Sequence, residues 1–194
     1  CRSLESKIVQ LDFNEYELML INTNVKHSLS DSAYNNRRAV CEKVSKLLDV
    51  QALRDVKEQD LKLVKNQISL ESYQKALYVI QENNRVNEAS NAIEAGDMKS
   101  LGNLLYASHK GLSIQYQVSC DELDFLVNQT KDNMNILGAR MMGGGFGGCT
   151  INLIKKTETE SFKTHISKLY LQRFKKKCSI YTAQMSNGTQ LIHD

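Results

Sequence analysis

The chain has 194 residues, 41% of them apolar, and a formal net charge of +3. That length suits one domain with a sizeable core, and no stretch approaches the run of about 18 apolar residues that a membrane helix needs. The basic residues are scattered, and their densest cluster, Lys175, Lys176 and Lys177, lacks the aromatic interleaving of a nucleic-acid face, so neither a membrane nor a nucleic acid is expected as a partner.

The start of the chain carries no basic segment followed by an apolar one, and it opens on Cys1 inside what reads as structured sequence. This reads as a piece of a longer cytoplasmic protein. Five cysteines occur without any C-x-x-C pair, which points to reduced, mostly buried thiols and gives no metal or redox motif.

In chain order, Val9, Leu11 and Phe13 alternate with polar residues and predict a strand over 7–13. Asn14 and Glu15 read as a turn into a continuous apolar strand over 16–21, so a hairpin is expected to open the chain. Ser30 or Asp31 can cap a helix running to about Leu48, with Val40, Val44, Leu47 and Leu48 on its apolar face. A short helix is predicted over 58–67. Ser69 caps a long helix with Tyr73, Leu77, Ile80, Ala89 and Ile93 as its buried stripe, ending at Gly96. Asp97 caps the next helix, which carries Met98, Leu101, Leu105 and Leu112. Asp121 opens another with Leu123, Leu126, Val127 and Met134. Strands are expected over 136–142 and 149–154, an amphipathic helix over 157–175, and a last strand over 179–184 before an Asn187-Gly188 turn. Strands and helices in this order predict one α+β domain with a mixed or antiparallel sheet and helices packed on one face.

Two segments stand out. Gly143, Gly144, Gly145, Phe146, Gly147 and Gly148 place five glycines in six residues between two strands. A hairpin needs one or two, so the backbone here takes left-handed conformations or is closely approached. Such a loop also suits an anion held by consecutive amides. The spacing fits G-x-G-x-x-G, but a strand follows where a dinucleotide fold needs a helix, and no Lys-Ser or Lys-Thr follows as in a phosphate loop. A substrate-facing loop and a structural close-approach loop both remain open. The other segment gathers Asn24, Lys26, His27, Ser28, Asp31, Tyr34, Arg37 and Arg38 at one loop-to-helix junction. This polar set fits a sugar or phosphate at a helix start, or simply a capped, solvated terminus. No His sits at metal spacing from another ligand, whether His27, His109, His165 or His193.

These stretches resemble the galactokinases, members of the GHMP kinase superfamily. The likeness lies in Asn22-Thr23-Asn24-Val25-Lys26-His27-Ser28-Leu29 with Ser32-Ala33-Tyr34-Asn35-Asn36-Arg37-Arg38 and Cys41-Glu42, and in Gly138-Ala139-Arg140-Met141-Met142 running into the glycine-rich segment and Cys149-Thr150. Ser108-His109-Lys110, Tyr116-Gln117-Val118-Ser119-Cys120 and Glu122-Leu123-Asp124 add to it, as does Cys1-Arg2-Ser3-Leu4-Glu5. The resemblance runs the length of the chain and departs from the family at Ser113-Ile114-Gln115, where charged residues are usual.

The resemblance implies that residues 1–194 form a GHMP kinase C-terminal domain, with a ferredoxin-like core plus extra helices. It implies a parent that uses ATP and Mg²⁺ to phosphorylate the C1 hydroxyl of α-D-galactose. The catalytic Asp, the triphosphate loop and the Mg²⁺ ligands are expected in an N-terminal domain, so no catalytic or metal residue is assigned in this chain, which alone should be inactive. Tyr34 matches the sugar-contacting position, and Gly143 to Gly148 match the loop that packs beside the phosphate loop. The implied partners are galactose, ATP and the N-terminal domain. A galactose- and ATP-binding sensor and a kinase for N-acetylgalactosamine are the alternatives within the same fold.

Overall fold

A computed structural model describes residues 7, 9, 11–26 and 30–184, the side chains of residues 30–34 excepted. The apolar run around residues 18–21 lies in β1 (Tyr16–Asn22), and both of its edges are filled. β3 (Cys149–Lys155) pairs with one edge and β4 (Ser179–Ala183) with the other, while β2 (Ile136–Met141) pairs with the far side of β3. All three pairings are antiparallel, in the order β2-β3-β1-β4. This is the ferredoxin-like arrangement, in which the two outer strands, β2 and β4, are each reached through a helical crossover. The first crossover is greatly enlarged. It holds α1 (Ser30–Leu47), α2 (Glu58–Leu63), α3 (Leu70–Glu94), α4 (Met98–Lys110) and α5 (Asp121–Asn128), whereas the second holds α6 (Thr159–Phe174). The α+β architecture is the one the sequence predicts.

Strand alternation sends Met19, Ile21 and Ile154 to one face of the sheet, where they pack with Leu126 of α5 and Phe162, Ile166 and Tyr170 of α6. Each such fully buried aliphatic contributes about 1.5–3 kcal/mol. Leu18 and Leu153 face the opposite way and meet Phe13, Ala92 of α3 and Leu101 of α4. A separate core under α1 and α3 joins Val44, Leu53, Leu61, Ala76 and Ile80.

Local chemistry sets the helix ends. The Ser69 hydroxyl accepts from the Ser72 amide at the start of α3, and Asp97 does the same for Ser100 at the start of α4. Gly96 turns the chain between them with φ +67°. Glu82 of α3 ties three elements together: it pairs with Arg85 at 2.6 Å, accepts from Ser108 of α4 at 2.5 Å, and meets Arg140 of β2 at 3.2 Å. α4 then runs along β2 so closely that a Cβ on Gly102 would lie 2.2 Å from the Leu137 carbonyl oxygen.

Five expectations change. Residues 11–13 form no strand, because β3 and β4 occupy both edges of β1; the apolar side chains of Leu11 and Phe13 instead pack under the ends of α3 and α4. Leu47 is 41% exposed and so lies off the buried stripe of α1, and Met134, at 94% exposure, sits in the turn after α5. Leu112 falls beyond α4 in a wide helical turn, Gly111–Gln115. Cys41, Cys120, Cys149 and Cys178 are free but only half-buried. The expected Asn187-Gly188 turn lies outside the described residues. Among those residues, no helix is long and apolar enough to cross a membrane.

Candidate functional site

The glycine-rich segment leaves β2 and enters β3, and its backbone is left-handed at Gly143, Gly145, Phe146, Gly147 and Gly148. Two of the glycines are enforced by neighbours as well. A Cβ on Gly145 would lie 2.0 Å from the Val118 carbonyl oxygen, and one on Gly147 would lie 3.0 Å from that of Val25. Gly143 and Gly144 have nothing within 4 Å of a built Cβ and are exposed. The loop is therefore braced at the back and open at the front.

The bracing comes from three distant parts of the chain. The Phe146 amide donates to the Val118 carbonyl at 2.7 Å. The carbonyl of Gly148 accepts from both the amide and the hydroxyl of Thr23, each at 2.9 Å. Thr23 is fully buried, and its own carbonyl accepts from the Tyr170 hydroxyl of α6 at 2.8 Å. Burial pushes the Tyr170 phenol up from its ordinary value, so it stays a neutral donor. Arg37 of α1 supplies the third brace. Its guanidinium donates to the carbonyls of Tyr116 and Gln117 at 3.3 and 2.6 Å and lies 5.6 Å from the centre of the Phe146 ring. Three successive carbonyls, those of Tyr116, Gln117 and Val118, thus bind α1 and the glycine loop to one bend, where Gln117 itself has φ +55°.

That bend is held from below. His109 is 5% exposed. Its Nδ1 accepts from the Met141 amide at 3.1 Å, and its Nε2 meets Asp124 Oδ1 at the same distance. Asp124 also accepts from Ser119 at 2.5 Å and Ser113 at 2.9 Å. Burial alone raises the Asp124 carboxyl, but hydrogen bonds from His109, Ser119 and Ser113 outweigh it and hold the group below its usual value. A cavity of about 350 Å³, lined in part by Lys110, Asn128 and Lys131, opens beside Asp124.

Of the residues singled out in the sequence, Gly143, Gly144, Gly145, Phe146, Gly147 and Gly148 form one loop, and Arg37 reaches it. Asn24 does not turn toward it: its side chain donates to the Lys177 carbonyl and the Ser179 hydroxyl. Tyr34 lies on α1 one turn before Arg37, but its side chain is outside the described residues, as are His27 and Ser28. His165 is exposed on α6. The residues that sequence reasoning undervalued are His109, Ser119 and Asp124. Their signal was the short polar spacing between Ser119 and Asp124 beside a lone histidine.

Residues 89–170 match the family described as GHMP kinases C terminal. This segment belongs to the GHMP kinase C-terminal family. The chain is 40% identical over 190 residues to the galactokinase of Thermotoga neapolitana, which covers 98% of this chain and 53% of that protein. To the galactokinase of Canis lupus familiaris it is 36% identical over 193 residues, covering all of this chain and 48% of that protein. The solved structure of Lactococcus lactis galactokinase complexed with galactose aligns with 98% of this chain and 51% of its own at a TM-score of 0.90 and 31% identity. The solved structure of L. major mevalonate kinase in complex with R-mevalonate aligns with 92% of this chain and 45% of its own at a TM-score of 0.56 and 22% identity, a likeness of fold alone. The chain spans about half the length of the curated relatives it matches. The glycine loop and the His109–Asp124 pair both fall within the GHMP-kinase match, whereas Tyr34 and Arg37 precede it and are covered by the galactokinase alignments.

Proposed function

We propose that residues 1–194 form the C-terminal domain of a cytoplasmic galactokinase that transfers the terminal phosphoryl group of ATP to the C1 hydroxyl of α-D-galactose. The observation that carries this reading is the alignment of nearly the whole chain with a galactose-bound galactokinase. The site geometry agrees with it. A loop braced at Gly145, Gly147 and Gly148 but open at Gly143 and Gly144 suits one wall of a cleft that a second domain completes. Phosphoryl transfer depends mainly on positioning and charge stabilisation, so such a wall contributes shape without taking or giving a proton.

Tyr34 is assigned to the sugar, where an aromatic ring covers an apolar sugar face and its hydroxyl hydrogen-bonds. α1 brings this position to the loop because Arg37, one turn later, is fixed to the same bend. Mg²⁺ is expected with the ATP. Among the described residues no three His, Cys, Asp or Glu side chains gather where a metal ion could be held. The catalytic base and the metal ligands are assigned to the rest of the protein.

The test is an ADP-release assay on the full-length protein with galactose and N-acetylgalactosamine offered separately. Turnover with galactose is expected. Binding of galactose and ATP without turnover would replace the kinase by a sensor, and preference for N-acetylgalactosamine would change the substrate. Tyr34→Ala should raise the KM for galactose more than that for ATP, by roughly tenfold for one lost hydrogen bond with its packing.

A further inference from the structure

We infer that His109, oriented by Asp124, is a positioning residue for the glycine loop and acts through the backbone amide of Met141; its catalytic consequence rests on the galactokinase reading above. β2 is an outer strand, so its amides alternate between β3 and the outside. Just before the loop, the Met142 amide points inward to the Cys149 carbonyl at 2.9 Å. The Met141 amide points outward, and its partner is the imidazole of His109 on α4.

A neutral imidazole accepts through one nitrogen and donates through the other. Asp124 decides which. The carboxylate beside Nε2 holds the proton there and leaves the Nδ1 lone pair for Met141. The same carboxylate takes the hydroxyl of Ser119, the neighbour of Val118, and the Val118 carbonyl holds Phe146 inside the loop. One side chain on α5 therefore governs the loop at two points: the strand end that leads into Gly143, and the carbonyl that grips its middle. A histidine that merely filled space would not need this tautomer.

The test compares His109→Asn with His109→Gln in the full-length protein. The Asn side-chain oxygen falls near the Nδ1 position and keeps an acceptor for Met141. The Gln amide reaches toward Asp124 and leaves the Met141 amide unpaired. We measure kcat and KM for both substrates, with amide hydrogen exchange at Met141 and across the loop.

The Gln variant should lose roughly tenfold in kcat/KM for ATP, with the KM for galactose within about twofold, and Met141 exchange should quicken by a similar factor. The Asn variant should stay within about threefold of the parent in both. Equal losses in the two variants would overturn the proposal. So would faster Met141 exchange in the Gln variant with unchanged turnover. Ser119→Ala, a milder change that leaves His109 in place, should move both readouts in the same direction by about threefold, and no movement would also overturn it. If the parent protein does not turn over galactose, the kinase reading fails and exchange alone decides: quickening only in the Gln variant upholds the link, and equal exchange in both refutes it.

Discussion

Two pairs of glycines in the one loop have opposite surroundings. Gly145 and Gly147 are buried and pressed against the backbone of Val118 and Val25, whereas Gly143 and Gly144 are exposed with empty space where a side chain would stand. Contacts within this chain account for the rear glycines. They do not account for the front pair, and Gly144 lacks even a left-handed backbone to require it. Close approach within this chain thus accounts for Gly145 and Gly147 and a left-handed backbone for Gly143, but neither accounts for Gly144.

Substitution separates these causes. The largest effect is expected at Gly145, where a methyl group meets the Val118 carbonyl and φ is +85°. Gly145→Ala should destabilise the protein by about 3 kcal/mol or more in denaturant unfolding, from the sum of overpacking and left-handed strain. Gly147→Ala should cost less, about 1–2 kcal/mol, because its contact with Val25 is looser. A Gly147 variant less stable than the Gly145 one would break the comparison. At the front, Gly144→Ala should leave stability within about 0.5 kcal/mol. Its effect should appear only as lower turnover of the full-length protein, so full turnover in this variant would remove the argument that the open end faces a partner domain.

Acid supplies a smaller test. The Asp124 carboxyl is held below its ordinary value in the folded protein. Its contribution is therefore complete above the unfolded carboxyl value, about pH 4, and fades as pH falls through the folded value. Asp124 is partly exposed, so solvent screening reduces the effect. Asp124→Asn should flatten the fall in melting temperature below about pH 4, and an unchanged slope would argue that the pair has little electrostatic weight.

Element order was legible because caps and apolar periodicity are local signals: Ser69, Gly96 and Asp97 punctuate α3 and α4 where the sequence predicts. The segment before Asn14 misled because alternation shows only that Leu11 and Phe13 share a side. Whether that side joins a sheet depends on a free edge, and β1 has none. At the site, the glycine run announced unusual backbone geometry but not its cause. Val118, Val25 and Arg37 come from well-separated parts of the chain, and nothing in their own neighbourhoods reveals the meeting. The tautomer of His109 was equally hidden, since it is set jointly by Asp124 and an amide of β2.

The close seam between α4 and β2 also bears on how copies of the protein meet. A sheet with two bare margins can add a second molecule to one side and a third to the other, and so grow into a fibre. Here one margin is closed: the Gly102 backbone lies against Leu137 and Gly138, and the outward amide of Met141 is capped by an imidazole. Head-to-tail stacking of sheets through β2 is thereby denied, and the fold carries a built-in stop against open-ended polymerisation on that side.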